Sequence, residues 1–264
     1  KRMGSYMFIC EREKEILDIL KQTEYATVEY LSKKMCISPS SIRRDLSSME
    51  AQGLVLRSYG GVQITDSVNS IVSFSMRSHK NIREKKRIAQ TAATLVKEGD
   101  VIFADGSSSS YFLLSELVSI KDITIITNSI DGLYFLTQFG VKAISTGGMI
   151  STENHSVLIN HFADSVISSI QADIAFFSAQ GIATDGTIYD CYLSEIPLRK
   201  LMMEHAKTTA FLCDSNKLGK TAAWKQCHIN DVDYIVSDTD LSFKFEGNIP
   251  TSKFLSPQAN SNSK

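Results

Sequence analysis

The sequence predicts a mixed α/β protein made of two domains of unequal size. The first 63 residues combine three stretches of apolar residues at helical spacing with a short β-ribbon. From residue 81 onward, short apolar runs alternate with helical segments, which is typical of a mostly parallel sheet covered by helices. Between these regions, residues 64–80 have weak periodicity and many Ser and Asn residues, which predicts a linker.

The N-terminal region has the element order of a winged helix-turn-helix. Apolar residues at 16–20 predict a first helix, and Thr27 is a suitable N-cap for a second. Ser38 is an N-cap followed by Pro39 at the first helical position, so a third helix should begin there and end before Gly53. A β-ribbon with a Gly-Gly turn follows. The predicted boundaries are 1–63 for the domain, 27–46 for the helix-turn-helix and 54–63 for the wing.

The third predicted helix carries polar residues that suit contact with DNA. Arg43 and Arg44 lie near its N-terminal half, and Ile42 and Leu46 share the opposite face. Arginine can bind a guanine edge with two hydrogen bonds, and serine hydroxyls suit phosphates. An isolated arginine pair is more often simply solvated, but a pair between a capped helix start and a glycine-turn ribbon favours DNA binding. The predicted DNA-binding residues are Ser38, Ser40, Ser41, Arg43, Arg44, Arg57 and Tyr59.

The larger region, residues 81–246, is predicted to be a Rossmann-like α/β domain. A helix is expected over residues 84–96. The predicted strands are the apolar runs at 101–104, 123–126, 141–144, 174–177, 209–213 and 234–236. The remaining residues, 247–264, are polar and are predicted to form a disordered tail.

Small polar residues follow several of these strands. In open parallel sheets, ligands bind beyond the carboxyl ends of the strands, and a helix N-terminus flanked by hydroxyls suits a phosphate. Gly- and Ser-rich loops are also ordinary turns, and a lysine after a strand is about as often a surface residue, so both interpretations stay open at this point. The ligand-binding residues predicted from this pattern are Asp105, Ser107, Ser108, Ser109, Thr127, Asn128, Ser129, Gly147, Gly148 and Lys217.

Three segments of the N-terminal region resemble the DeoR family of bacterial sugar-metabolism regulators. They are Ile37–Leu46 (ISPSSIRRDL), Glu50–Leu54 (EAQGL) and Arg57–Gly61 (RSYGG). Ser41 stands where the family has Thr, and Tyr59 where its wing has His. The resemblance implies that double-stranded operator DNA is a partner. Phosphates repel a carboxylate, so Asp45 is expected to fix a neighbouring arginine by an ion pair rather than to read a base.

The resemblance continues to about residue 238. Phe74, Arg77, Asn81 and Lys85 match spaced residues of the family, which adds Lys85 to the predicted ligand-binding set. The sensor half of the family is similar to ribose-5-phosphate isomerase and binds phosphorylated sugars or related intermediates, so this fold and this class of small anionic effector are implied. The departures from the family pattern are Ser107 for Gly, Ser151 for Arg, Asn160 for Gly and Pro197 for Glu.

Composition excludes several other classes of protein. The formal net charge is −1, with a modest asymmetry: residues 1–63 hold ten basic and eight acidic residues, and the rest holds 18 and 21. The five cysteines have no paired spacing, so neither a disulfide framework nor a metal site is predicted. No apolar stretch reaches the length of a membrane span, no signal-peptide core precedes the first charged run, and no cofactor motif occurs. A cytoplasmic protein is expected.

The sequence therefore predicts a DNA-binding regulator, a repressor whose operator affinity changes with a phosphorylated sugar. One winged helix reads too few base pairs to be selective, so a homo-oligomer, a dimer or tetramer, is expected. An isomerase-like enzyme is the main alternative, and Asp105, Asp185 and Glu195 are its candidate general bases by residue type. A DNA-binding protein with a degenerate sensor site is the third hypothesis. No catalytic residue is assigned.

Overall fold

A computed structural model gives the structure of the chain and divides it into two compact units, Lys1–Met76 and Arg77–Lys264. The described residues are 12–13, 15–20, 22–23, 25–51, 54–58, 61–64, 74–246 and 249–257. No helix in these ranges is long and apolar enough to cross a membrane.

The first unit contains the predicted helices and ribbon. Its helices are α1, helical at the described positions between 12 and 23, α2 (Val28–Met35) and α3 (Pro39–Ala51). Thr27 caps α2 by accepting a hydrogen bond from the Tyr30 amide at 3.1 Å, as predicted. Cys36 then takes left-handed backbone angles, which ends α2 and begins the turn to α3. The helix-turn-helix is therefore confirmed.

A three-stranded antiparallel sheet completes this unit. Its strands are β1 (Tyr25–Ala26), β2 (Val55–Ser58) and β3 (Gly61–Ile64), in the order β1-β3-β2. The β2–β3 pair is the predicted wing ribbon, although residues 59–60 of its turn lie outside the described residues. The short strand β1 was not predicted, because two residues are too few to show an alternating pattern.

The buried face of α3 forms the core of the first unit. Ile42, Leu46 and Met49 are fully buried at positions i, i+4 and i+7. Asp45 lies beside this stripe, 3% exposed, and accepts two hydrogen bonds of 2.9 Å from Nε and Nη2 of Arg12. The expected ion pair exists, but the arginine it fixes belongs to α1 and not to the recognition helix. Asp45 thus attaches α3 to α1.

The second unit is a seven-stranded parallel sheet with helices on both faces. The strands of this sheet are β4 (Val101–Ala104), β5 (Thr124–Thr127), β6 (Lys142–Ser145), β9 (Ala172–Phe177), β12 (Ala206–Cys213), β14 (Tyr234–Ser237) and β15 (Phe254–Leu255). The strands that form two smaller sheets are β7 (Met149–Ile150), β8 (Leu158–Ile159), β10 (Gly181–Ile182), β11 (Thr187–Asp190) and β13 (Trp224–His228). The helices are α4 (Phe74–His79), which spans the boundary between the two units, α5 (Ile82–Ala93), α6 (Ser108–Leu117), α7 (Ile130–Leu136), α8 (His161–Ser168) and α9 (Ile196–Glu204). The six predicted strands and the α/β class are confirmed.

The order of the parallel strands fixes where a ligand can bind. The order is β15-β14-β12-β9-β4-β5-β6, so successive strands run outward from β4 in one direction and from β9 in the other. Connections leave β4 and β9 to opposite sides, which opens a crevice at their carboxyl ends. The Asp105 amide donates to the Phe176 carbonyl at 3.1 Å and ties these two ends together.

Two predicted boundaries differ from the structure. The range assigned to the linker contains α4, which ends just before Asn81, while residues 65–73 lie outside the described residues. The range assigned to a disordered tail contains β15, which pairs in parallel with β14. Its Phe254 ring stacks on Phe245 at 5.6 Å. The apolar pair Phe254-Leu255 is short, and its polar surroundings hid it from the pattern analysis.

The Arg12–Asp45 pair gives a test of what holds α3 in place. Arg12→Ala leaves a buried carboxylate without its cation, and we expect the first unit to lose about 2–3 kcal/mol, less than for a fully buried pair because Arg12 is a quarter exposed. Hydrogen exchange of the α3 amides in the full chain measures this loss. Arg43→Ala is the control, because its 3.7 Å pair with Glu29 is exposed and worth under about 0.5 kcal/mol. Equal losses in the two variants would contradict the assignment.

Candidate nucleic-acid interface and ligand site

Helix α3 presents a polar face opposite its buried stripe. Ser40, Arg43 and Arg44 are exposed. The Ser38 hydroxyl accepts from the Ser41 amide at 3.3 Å, so Ser38 caps the helix start, and it lies 3.0 Å from the Ser41 hydroxyl. A helix N-terminus with exposed hydroxyls and a nearby arginine pair is suited to phosphate and base contacts.

The predicted DNA-binding arginines differ in how firmly they are held. Arg43 has a loose ion pair with Glu29 at 3.7 Å, both side chains being more than half exposed. Arg44 has no ion-pair partner among the described residues. Arg57 of the wing donates to the Ser47 hydroxyl at 2.9 Å and lies 3.7 Å from Glu50, so α3 orients it. Tyr59 lies outside the described residues.

In the second unit, Asp105 follows β4 and is almost completely buried. One carboxylate oxygen accepts from the Ser107 amide at 3.2 Å and the Ser110 hydroxyl at 2.6 Å. The other accepts from the Ser178 amide at 3.2 Å and Arg199 Nε at 2.9 Å. Both oxygens are engaged within the protein, so Asp105 holds the site together rather than facing a ligand.

Arg199 of α9 binds three carboxylates at once. Besides Asp105, it donates to Asp190 at 2.7 Å and to Glu195 at 2.6 Å, and all four side chains are under 5% exposed. We call these residues the Arg199 cluster. The side-chain amide of Asn154 also donates to Glu195 at 2.7 Å. Sequence analysis did not single out Arg199, because one arginine within a helix carries no distinguishing pattern.

The electrostatics of this cluster follow from its burial. Burial raises the pKa of Glu195, although Arg199 and Arg77 act against that rise. Burial alone would lower the pKa of Arg199. The nearby carboxylates of Asp190, Glu195 and Asp105 outweigh burial, so the pKa of Arg199 is raised. The cluster carries three potential negative charges around one positive charge.

The serine-rich loop between β4 and α6 forms the start of a helix. The Ser107 hydroxyl accepts from the Ser110 amide at 3.1 Å, so Ser107 is the N-cap of α6. Ser108 and Ser109 occupy the first turn and are buried. The Ser109 hydroxyl has no hydrogen-bond partner among the described residues. A buried hydroxyl without a hydrogen-bond partner, at the N-terminus of a helix, indicates a site where a ligand could accept a hydrogen bond.

The loop after β5 lies next to this helix start. The Asn128 amide donates to the Leu158 carbonyl at 3.1 Å, while its carbonyl oxygen is buried and has no partner among the described residues. A β-carbon placed on Gly106 would lie 3.5 Å from that oxygen, so the two loops are neighbours. The neighbouring hydroxyls serve the backbone: Thr127 accepts from the Ser129 amide at 3.0 Å, and Ser129 caps α7.

The glycine pair after β6 has a conformational role. Gly147 and Gly148 have φ angles of +63° and +106°. A β-carbon on Gly148 would lie 2.4 Å from the Ile159 carbonyl, so only glycine permits this approach to β8. The Thr146 amide donates to the Thr127 carbonyl at 3.1 Å, which places this loop beside the Asn128 loop.

The two predicted lysines have internal partners. Lys217 donates to the Ser178 hydroxyl at 2.6 Å and lies 3.8 Å from Asp214. Since the Ser178 amide binds Asp105, Lys217 lies close to the carboxyl ends of β4 and β9. Lys85 is 4% exposed and donates to the carbonyl of Arg77 and, at 2.7 Å, to that of Lys80.

The departures from the family pattern have structural consequences. Ser151 is buried and accepts from the Glu153 and Asn154 amides, so it forms a turn and supplies no positive charge. Asn160 has φ +88° and ψ −178°, a region that glycine occupies without strain, and it caps α8. Pro197 occupies the first turn of α9, where proline fits a helix.

The structure brings two of the three candidate general bases of the enzyme hypothesis together and leaves the third apart. Asp105 and Glu195 both bind Arg199. Asp185 lies exposed in the turn between β10 and β11, where it accepts from the Thr187 amide at 2.8 Å. No group of three His, Cys, Asp or Glu side chains in the described part of the chain could hold a metal ion.

Two family models match the chain. Residues 12–68 match the DeoR-like helix-turn-helix domain, and residues 80–239 match the DeoR C-terminal sensor domain. The second match alone covers more than half of the chain.

Curated relatives are similar over most of their length. The HTH-type transcriptional regulator GolR of Listeria innocua is 31% identical over 89% of this chain and 93% of its own. The HTH-type transcriptional repressor GlcR of Bacillus subtilis is 30% identical over 88% of this chain and 89% of its own. The L-fucose operon activator of Escherichia coli is 28% identical over 86% and 94%.

Among solved structures, the chain is similar to ribose 5-phosphate isomerase from Plasmodium falciparum, with 17% identity and a TM-score of 0.38 over 52% of each chain. It is also similar to eIF2B beta from Chaetomium thermophilum, with 16% identity and a TM-score of 0.46 over 59% of this chain and 48% of that one. The chain thus spans about half the length of these structures.

The buried Glu195 carboxyl gives a pH-dependent test of the Arg199 cluster. Because burial raises its pKa in the folded state, its contribution to stability is present below its ordinary pKa and is lost as pH rises through the folded value. The Glu195→Gln variant has no carboxyl to ionise there and does not suffer this loss. Its free energy of unfolding, compared with that of wild type at the same pH, should therefore rise from pH 4 to pH 8. Urea unfolding across that range measures the difference.

Asp173→Asn is the matched control for this experiment. Lys207 and the Val101 amide hydrogen-bond to Asp173 and lower its pKa, so its contribution to stability is lost as pH falls. The free energy of unfolding of Asp173→Asn, compared with that of wild type at the same pH, should therefore fall as pH rises, which is the opposite of the trend for Glu195→Gln. A pH-independent difference for Glu195→Gln would show that the carboxyl is not held in this environment.

Proposed function

The chain belongs to the DeoR family of transcriptional regulators, and from this premise we propose that it represses a carbohydrate-utilisation operon and that a phosphorylated sugar or related anionic metabolite modulates its operator binding. The relatives are transcriptional regulators, so the isomerase alternative is not retained. The observation that carries the ligand proposal is the start of α6, where buried polar atoms without partners meet the positive end of a helix.

Helix α3 supports the DNA-binding half of the proposal. Arg43 and Arg44 project from the face opposite the core, and neither is held by a buried partner among the described residues. Because these side chains carry little internal bonding energy, they can move to base edges or phosphates at low cost. Arg57 in the wing is oriented by α3 and suits a backbone phosphate. The expected partner is double-stranded operator DNA.

The carboxyl edge of the sheet supports the sensing half. The Ser109 hydroxyl and the Asn128 carbonyl oxygen are buried and have no hydrogen-bond partner within the described ranges, so a ligand could supply one to each. A phosphorylated sugar offers both, because its phosphate accepts hydrogen bonds from the helix start and its hydroxyls donate to a carbonyl oxygen. Lys217 adds positive charge at the same crevice through its contact with Ser178.

Repression is the sign of regulation that we propose, and it is distinct from the sensing proposal. The named relatives include a repressor and an activator, at 30% and 28% identity. A repressor must leave its operator when the metabolite is present, which requires the ligand to bind the DNA-free conformation more tightly. We further propose that two copies bind inverted half-sites one or more helical turns apart, since one recognition helix reads too few base pairs.

Replacement of the recognition arginines tests the DNA interface. Arg43→Ala or Arg44→Ala should cost about 1–3 kcal/mol of specific binding and relax preference at one base pair if the side chain reads a base. A phosphate contact would instead weaken all sequences and flatten the salt dependence. Mobility shifts on specific and scrambled DNA separate the two cases. Lys33→Ala is the control, because Lys33 is an exposed basic residue on the neighbouring helix α2. Unchanged operator binding by the double arginine variant would refute the interface.

Ser108→Asp tests the helix start as an anion site. The new carboxylate would occupy the first turn of α6 and repel a phosphate, so operator binding should remain while the response to a sugar phosphate disappears. Fluorescence anisotropy on labelled operator, with and without ribose 5-phosphate and other sugar phosphates, measures both. In wild type the ligand effect should be roughly 5–150-fold. Ser115→Asp, exposed on the same helix, is the matched control. A full response in Ser108→Asp would place the site elsewhere.

A further inference from the structure

Arg77 is a partly buried arginine, and two of its side-chain nitrogens have no hydrogen-bond partner among the described residues. Its guanidinium carbon lies 5.0 Å from the centroid of the Tyr192 ring, which is within cation–π distance. Its Nε and Nη2 atoms are buried and have no hydrogen-bond partner among the described residues. A buried N–H group without a hydrogen-bond partner costs free energy, and the cost is larger when the side chain is charged than when it is neutral. The arrangement is expected where a ligand supplies the acceptors.

Further positive charges lie close to Arg77. Lys85 binds the Arg77 carbonyl, and Lys217 is near enough to Lys85 to repel its charge. The acidic group that faces Lys85 is Asp214, which also accepts from the Asn81 amide at 2.9 Å. We call Arg77, Lys85 and Lys217 the cation group.

The cation group is short of negative charge. Burial lowers the pKa of Lys85 to about 7, and Lys217, Arg77 and Lys80 lower it further while Asp214 opposes the fall. Arg77 is close enough to Glu195 to lower the pKa of Glu195, but the Glu195 oxygens already bind Asn154 and Arg199. An anion bound here would satisfy Arg77 and relieve the repulsion at Lys85 together.

We propose that Arg77 binds the anionic group of the effector through Nε and Nη2, so that helix α4 is itself part of the effector site. This inference rests on the proposed function, because it concerns the effector proposed there. The planar fork of arginine matches two oxygens of a phosphate or sulfate, and the cation–π contact with Tyr192 keeps the guanidinium beside that ring. The fork uses two oxygens of the anionic group, so a further oxygen remains for the Ser109 hydroxyl at the start of α6, and the Asn128 carbonyl oxygen accepts from a hydroxyl of the uncharged part.

The position of Arg77 in the chain gives this contact a regulatory consequence. α4 spans the boundary at which the chain passes from the first unit to the second. Lys85 caps the end of α4 through the Arg77 and Lys80 carbonyls. An effector that binds Arg77 therefore acts directly on the connecting helix, and no relay through the sheet is needed.

The test compares Arg77→Ala with Arg83→Ala, an exposed arginine on α5 that provides the same chemical deletion. Full-length protein is titrated with ribose 5-phosphate and with sulfate by calorimetry. Loss of a charge-assisted bidentate contact should weaken binding about 10–100-fold in Arg77→Ala and leave Arg83→Ala like wild type. Arg77→Lys keeps the charge without the fork and should be intermediate, and it carries the test if Arg77→Ala does not fold.

Proton linkage gives a second readout. An anion beside Lys85 favours its charged form, so at pH 7.5 sulfate, which does not titrate there, should bind with proton uptake, seen as a heat that changes with buffer. The uptake should be lost in Arg77→Ala.

The possible failures are distinguishable. If wild type binds neither probe, the sensing half of the proposed function is refuted and this inference with it. If wild type binds and Arg77→Ala binds equally well, Arg77 is only a counter-charge for the Arg199 cluster, and this inference alone is overturned.

Discussion

The second unit depends on one buried guanidinium. Arg199 brings together the end of β4 at Asp105, the end of β11 at Asp190 and the start of α9 at Glu195. Each carboxylate would be costly to bury alone, and one cation with directed N–H groups makes all three tolerable in a common geometry. Asp105 in turn holds the Ser107 amide and the Ser110 hydroxyl, so the first turn of α6 is positioned by a residue that no ligand needs to touch.

This arrangement separates the residues that build the site from those available to a ligand. The hydroxyls of Ser107, Thr127 and Ser129 are used within the protein as caps and turn acceptors. Ser109 and Asn128 each retain a buried atom that has no partner in the part of the chain that the structure describes. A serine-rich loop therefore contributes fewer contacts than its composition indicates, and its main function is to aim a helix N-terminus at the crevice between β4 and β9.

Much of this architecture was predictable from the sequence, because it depends on local patterns. Ser38-Pro39 and Thr27 set the helix starts, and the apolar runs gave the six strands. What could not be predicted arises from contacts between distant residues. Arg199 reaches Asp105 across 94 positions, and Asp45 pairs with Arg12 across 33. No periodicity marks either partner, so the sequence indicated that Asp45 needed an arginine without indicating which one.

Charge is distributed unevenly around the same crevice. The Arg199 cluster holds an excess of carboxylates, while the cation group holds an excess of positive charge, and Ser178 lies between them with its amide bound to Asp105 and its hydroxyl to Lys217. A free anion is repelled by the first and attracted by the second, so the two clusters together set the direction in which a phosphate ester must lie. With its charge toward Arg77 and its hydroxyls toward Asn128, such a molecule would contact the residue at which the second unit begins. Sensing and signalling would then depend on the same arginine.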